Sequence, residues 1–261
     1  MVGFNMTNYE QIVKMWREYP ITSVAALDTY LHSFRVLFAY NSGKIENPDV
    51  TYDTTREVFS DGKVNGFSGS VTTVVEIHNQ KLCYDFLLPK IIAKAPLTLA
   101  LIKEVHEITT NGTYDARRFF ELGERPGTFK RHDFVVGENE VGAAPEDVVE
   151  ELTSLLDELE NTSGGIDNPE KILKLAAYFH VWFETIHPFA DGNGRVGRTL
   201  MNYLLMIHGH PPLIVHNDNK SQYYAALEKF RSDEDLDALF LFFKGQLERT
   251  WAKSLERHLK R

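Results

Sequence analysis

The amino-acid sequence predicts a mostly α-helical fold, a helical bundle carrying one small β-hairpin. Apolar residues return at three-to-four spacing through several long segments, which is the mark of a helix with one buried face. Helix-start signals precede the clearest of these segments, with Asn168 as an N-cap and Pro169 as the first helical residue. Only the stretch from Gly127 to Gly137 alternates polar and apolar residues and ends at a glycine, as a short hairpin would. With 261 residues, 43% of them apolar, the chain can bury a full core and fits one large or two small domains.

A helical pattern runs from Val24 to Tyr40, and another from Leu97 to Thr109. In the alternating stretch Gly127-Thr128-Phe129-Lys130 leads into Phe134-Val135-Val136-Gly137. Pro145 then opens an acidic amphipathic helix, Glu146 to Glu160, ending in the polar loop Asn161-Thr162-Ser163-Gly164-Gly165. Ile172, Leu175, Ala176, Phe179, Phe183 and Ile186 share one face of the next helix, which runs from Asn168 to Ile186. Pro188 disfavours helix at His187, and a further helix starts near Asn193 with Val196, Leu200, Tyr203, Leu204 and Ile207. The segment from Asp233 to Leu259 reads as one long helix.

The run HPFADGNGRVGR, residues 187 to 198, therefore sits in a loop that ends at a helix N-terminus. Such a terminus has free backbone N–H groups and a partial positive charge, and it favours phosphate. Gly192 and Gly194 remove side chains that would keep a phosphate from the backbone, and Asn193 can add an amide donor. Arg195 and Arg198 are three apart, so both can face one polyphosphate, and a guanidinium pairs bidentately with phosphate oxygens. Asp191 supplies one carboxylate, which with phosphates and waters is a usual Mg²⁺ arrangement. His187 can take a proton from an attacking hydroxyl.

These residues match the signature HxFx(D/E)GNGRxxR at every specified position, so the chain resembles the Fic (Fido) domain protein adenylyltransferases. The resemblance implies transfer of AMP from ATP to a Ser, Thr or Tyr hydroxyl of a target protein, releasing pyrophosphate. It implies His187 as the base, Asp191 as the Mg²⁺ ligand, Asn193 and its neighbouring backbone as the α-phosphate anion hole, and Arg195 and Arg198 on the β- and γ-phosphates. Gly192, Gly194, Val196 and Gly197 fall within the same nucleotide-binding run, and Phe189 is a buried anchor. The stretch Phe134, Val135, Val136 and Gly137 resembles the family's flap, whose edge pairs with the target by strand addition. Tyr223 and Tyr224 resemble the segment lining the adenine pocket, or are helix packing. Arg231 departs from the asparagine that some relatives carry there.

Ser42 and Glu46, four apart in Ser42-Gly43-Lys44-Ile45-Glu46-Asn47, resemble the family's (S/T)xxxE(G/N) inhibitory motif. The resemblance implies that Glu46 pairs with Arg198 and pulls it from the γ-phosphate. Gly43 would weaken that helix by about 1 kcal/mol. Residues 1–95 would carry this inhibitory region, 97–245 the catalytic domain, and 246–261 the end of the C-terminal helix. The alternatives are removal of AMP at the same site, transfer of phosphocholine or a γ-phosphate, and a silent scaffold that binds a partner. The resemblance also admits auto-AMPylation and leaves a homodimer open.

A net charge of −9 argues against a general nucleic-acid binder. Apolar runs such as Ala238 to Phe243 are too short to cross a membrane. The lone Cys83 excludes an internal disulfide framework, and no signal-peptide pattern opens the chain, so the expected location is cytoplasmic. Among the remaining histidines, His180 reads as core, His208 and His210 as helix-end residues, and His106 has no evident partner.

Overall fold

A computed structural model describes residues 6–62, 64, 67–134 and 142–260, and Val135, Val136 and Gly137 lie outside the described residues. The described residues form ten α-helices and no strand: α1 Asn8–Glu18, α2 Val24–Glu46, α3 Tyr52–Asp61, α4 Val71–Ile92, α5 Leu99–Thr110, α6 Val148–Ser163, α7 Pro169–Ile186, α8 Asn193–Ile207, α9 Lys220–Asp233 and α10 Leu236–Leu259. Helices α7 and α8 pack on each other at the centre. Helices α2, α4 and α5 cover α8, while α6 and α10 cover α7. Helix α1 closes over α10, and α3 forms a small satellite core through Val50, Val58 and Ile77.

Local chemistry sets most helix starts. Thr7 and Glu10 make a reciprocal capping box on α1, and Ser23, Thr51, Ser70, Thr98 and Asp235 cap α2, α3, α4, α5 and α10. The Asn168 side chain accepts from the Lys171 N–H at 3.0 Å with Pro169 next in line, as the sequence predicts. Helix α6 runs through Asn161, Thr162 and Ser163, residues expected in a loop, and stops at Gly164. Helix α2 continues unbroken through Gly43 to Glu46. There, a side chain at residue 43 would lie 3.3 Å from Val50 Cγ2, so close packing accounts for the glycine.

Helix α8 is buried on every side, including Asn193, Arg195 and Arg198 in its polar first turns. A helix with a buried polar end must find partners for its charges, and that need organises the site. No described helix is long and apolar enough to cross a membrane. Cys83 is fully buried, a small core residue as expected.

Three buried histidines hold distant helices together in their neutral form. His210 Nε2 meets the Tyr9 hydroxyl at 2.9 Å, tying α1 to the end of α8, and its Nδ1 lies 2.8 Å from the Pro211 carbonyl. Burial pushes His106 and His180 down to about 3 and His210 to about 4. All three lie below the unfolded value near 6.5, so the unfolded chain takes up protons first as pH falls. Stability is therefore full above pH 6.5 and is lost as pH drops toward 4. Melting followed by circular dichroism should show Tm lower at pH 5 than at pH 7.5 by at least roughly 4 °C.

Candidate active site

The loop between α7 and α8 is held from several directions. Its first residue, His187, takes a left-handed conformation (φ +50°) as the C-cap of α7 and donates its N–H to the Phe183 carbonyl at 3.0 Å. That backbone is unfavourable for a non-glycine residue, by about 1–3 kcal/mol, so neighbours must hold it. The Ala143 N–H donates to the Ile186 carbonyl at 3.0 Å, and the Lys130 N–H to the Pro188 carbonyl at 2.9 Å. The chain on either side of residues 135–141 thus clamps His187 in place. Gly142 (φ +70°) makes this possible, because a β-carbon there would lie 2.7 Å from the Ile186 carbonyl oxygen and 2.8 Å from His187 Cβ.

Phe189 is fully buried, the anchor that the sequence suggests. Its ring stacks on His106 at 3.6 Å with planes 2° apart. His106, which had no evident partner in sequence, is a central brace. Its Nδ1 accepts from the Gly127 N–H at 2.8 Å, so its Nε2 carries the proton and donates to the Asp191 carbonyl at 3.1 Å. The ring therefore joins α5, the start of the expected hairpin and the motif loop.

Asn193 serves differently from its expected part as an anion donor. Its Oδ1 accepts from the Phe189 N–H at 3.0 Å and its Nδ2 donates to the Phe189 carbonyl at 2.7 Å. The amide closes the loop on itself, leaving main-chain N–H groups as the donors at the start of α8. Gly192 takes φ +78°, and its missing side chain makes room for Thr110 Cγ2, 2.5 Å from where a β-carbon would be.

The charges meet above Gly194. Arg198 Nη2 donates to Glu46 Oε1 at 2.5 Å, and Arg195 Nε donates to Glu46 Oε2 at 2.9 Å. Ser42 adds its hydroxyl to Arg198 Nε and its carbonyl to Nη2, both at 3.0 Å. A side chain at Gly194 would overlap the Glu46 carboxylate. The Glu46–Arg198 pair is the one the inhibitory resemblance implies; the second arm, to Arg195, was not expected. Burial pushes the Glu46 carboxyl up, but Arg198 and Arg195 outweigh it and hold it below the usual range. Glu76, absent from the sequence reading, accepts from Arg195 Nη1 and Asn47 Nδ2, each at 2.9 Å.

Asp191 turns its Oδ1 to the Gly192 N–H at 2.8 Å and leaves Oδ2 4.0 Å from Arg195 Nη2. The described residues contain no cluster of three or more metal-ligating side chains. A lone, partly exposed carboxylate beside a phosphate-favouring helix end fits Mg²⁺, which commonly takes one or two carboxylates with phosphates and waters. Burial, and then the Lys130 charge, push His187 down to about 4. Its imidazole is neutral at physiological pH, the state a general base needs.

Other predicted contacts point elsewhere. Val196 is buried in the core, and Gly197 lies under Phe183, His180 and Glu184 rather than toward the loop. Tyr223 is 1% exposed with its hydroxyl 2.6 Å from His180 Nε2, whereas Tyr224 is 45% exposed. Only Tyr224 of the pair stands at the surface. Phe134 lies below the Arg118 guanidinium at 5.8 Å, and Gly127 to Phe134 contains no strand among the described residues.

A helical bundle with a loop that ends at a helix N-terminus between its two central helices defines a class, and its relatives name it. The Fic/DOC family model matches residues 96–205, so the chain carries a Fic/DOC domain over that stretch. It is 32% identical over 226 residues to Protein adenylyltransferase Fic of Drosophila mojavensis, covering 82% of this chain and 41% of that protein. It is 29% identical over 205 residues to Protein adenylyltransferase fic-1 of Caenorhabditis briggsae, covering 77% and 38%. The chain thus spans about two fifths of these relatives. A Fic domain containing signaling protein from Bacteroides thetaiotaomicron superposes with a TM-score of 0.80 at 24% identity, covering 96% of each chain.

Removing the Asn193 amide leaves a buried N–H and a buried carbonyl of Phe189 without partners. Asn193→Ala should cost about 2–4 kcal/mol, read as a lower midpoint in urea at unchanged m-value.

Proposed function

We propose that this chain is a protein adenylyltransferase that moves AMP from ATP to a hydroxyl of a target protein, and that Glu46 holds it inactive. The observation carrying this reading is the Glu46 carboxylate, which bridges Arg195 and Arg198 over Gly194 at the start of α8. One anion sits where two buried guanidiniums and a helix N-terminus converge, and a polyphosphate satisfies the same donors.

In the reaction, His187 accepts the proton of the target hydroxyl as its oxygen bonds the α-phosphorus and the bond to pyrophosphate breaks. The main-chain N–H groups from Asn193 onward stabilise the charge gathering on the α-phosphate. Arg195 and Arg198 hold the outer phosphates, and Asp191 holds Mg²⁺, which when bound neutralises phosphate charge. The segment that resembles the family's flap, Phe134 to Gly137, would bind the target by strand addition, and the target can be the protein itself. While Glu46 is seated, Arg198 donates to Ser42 and Glu46 instead of to phosphate. A displacement of about 1 Å costs roughly 100-fold in rate.

Label transfer from α-phosphate-labelled ATP with Mg²⁺ tests the reading. Glu46→Gly should raise transfer to protein on the order of 100-fold. Adding His187→Ala should remove it by roughly 10²–10⁴-fold. Equal labelling of the native and Glu46→Gly proteins would remove the inhibitory role. Release of AMP from an already modified protein, with no forward transfer, would reverse the direction of the reaction.

A further inference from the structure

Glu184 is a buried acid that neither the motif nor the proposed reaction uses. It lies in the last turn of α7 and faces α8 across Gly197, where a β-carbon would come within 2.8 Å of its Oε1. Its side chain is 12% exposed, and Oε1 is buried without a hydrogen-bond partner among the described residues. A carboxyl in such a place is costly unless another state gives it a partner.

The groups around it narrow that partner. Arg198 acts on it from α8, Glu46 from α2 and Arg231 from α9. Tyr223 of α9 senses its charge, and His180 lies one turn back with Nε2 3.9 Å away. His180 is held neutral, and its Nε2 already meets the Tyr223 hydroxyl at 2.6 Å. Arg231 lies 3.8 Å from Glu228 at a less buried position. Arg198 is 2% exposed, and Glu46 is the one carboxylate in hydrogen-bonding range of it among the described residues.

We infer that Glu184 is the reserve counterion of Arg198, a positioning residue that takes over the guanidinium when the Glu46 carboxylate leaves. Loss of Glu46 alone would strand a buried cation, an expensive state. Glu184 is placed to prevent it and to keep Arg198 seated for the polyphosphate of the proposed reaction, on which the purpose, though not the pairing, depends. Burial pushes the Glu184 carboxyl up to about 7; Arg198 opposes that shift and Glu46 adds to it. Departure of Glu46 therefore favours ionisation of Glu184, and by reciprocity ionised Glu184 loosens Glu46.

The test is a cycle of Glu46→Gly and Glu184→Gln, read by melting temperature between pH 5.5 and 8.5 without nucleotide. In the native chain the raised carboxyl costs stability as pH rises from its unfolded value near 4.5 to about 7. Glu184→Gln should therefore raise Tm at pH 8. In Glu46→Gly the ionised group pairs with Arg198, and Glu184→Gln should lower Tm. A change of the same sign in both backgrounds overturns the inference, since a merely structural carboxyl has no reason to reverse. Should the glutamine variants fail to fold, carboxyl ¹³C titration of Glu184 in the native and Glu46→Gly chains decides. The midpoint should drop by more than one pH unit, and an unchanged midpoint overturns the proposal. No nucleotide enters either measurement, so failure of the transfer reading leaves its own distinct trace.

Discussion

Two guanidinium groups buried in the first turns of α8 govern the molecule's arrangement. Arg195 is 4% and Arg198 2% exposed, in a helix covered on all sides. Even after relaxation, each buried charge costs several kcal/mol unless paired and hydrogen-bonded. The partners come from far away in sequence: Ser42 and Glu46 from the end of α2, Glu76 from α4, and Asp191 from the preceding loop. The docking of α2 and α4 on α8 is therefore an electrostatic requirement as well as a packing one. It also explains why α2 must run unbroken through Gly43, since a helix ending at Tyr40 would carry no carboxylate to this point.

The loop before α8 answers a different demand, which is rigidity. His187 has a backbone conformation it would not choose; the Ala143 and Lys130 N–H groups hold the residues on either side of it, while Asn193, Phe189 and His106 brace the rest of the loop. On the proposed reading His187 is a base, and a base on a mobile segment would sample many geometries where attack at phosphorus tolerates few. Within the motif, Arg195 and Arg198 meet the Glu46 carboxylate, whereas Asn193 builds the loop.

That division marks the limit of what the sequence discloses. Helix placement was legible because spacing, caps and prolines act locally, as at Asn168-Pro169 and at Pro188. The run from His187 to Arg198 was legible because its chemistry lies within twelve consecutive residues. Glu76, His106, Gly142 and Glu184 were not, because each acquires its part only from neighbours brought together by folding. An acid on a helix face reads as a solvated charge until the opposite helix is known. Tyr223 shows the converse, since an aromatic at helical spacing reads equally as pocket wall or core, and burial beside His180 places it in the core. Asn193 was seen but its direction was not, because an amide offers donor and acceptor alike.

On the proposed reading, folding and restraint are carried by the same contact. The Glu46 carboxylate neutralises two buried cations, so it cannot simply swing away; something anionic must replace it before the helix end is stable again. On the proposed reading a nucleotide polyphosphate is such a replacement, and release is then an exchange of one anion for another. Glu46 is already 27% exposed at its side chain, while the arginines beneath it are almost fully covered. Such a seat favours anions, because a neutral ligand would leave Glu76 and Glu184 alone to answer the two buried guanidiniums. Restraint built this way adds no separate element to the fold, and any substitution that weakens it weakens the core as well.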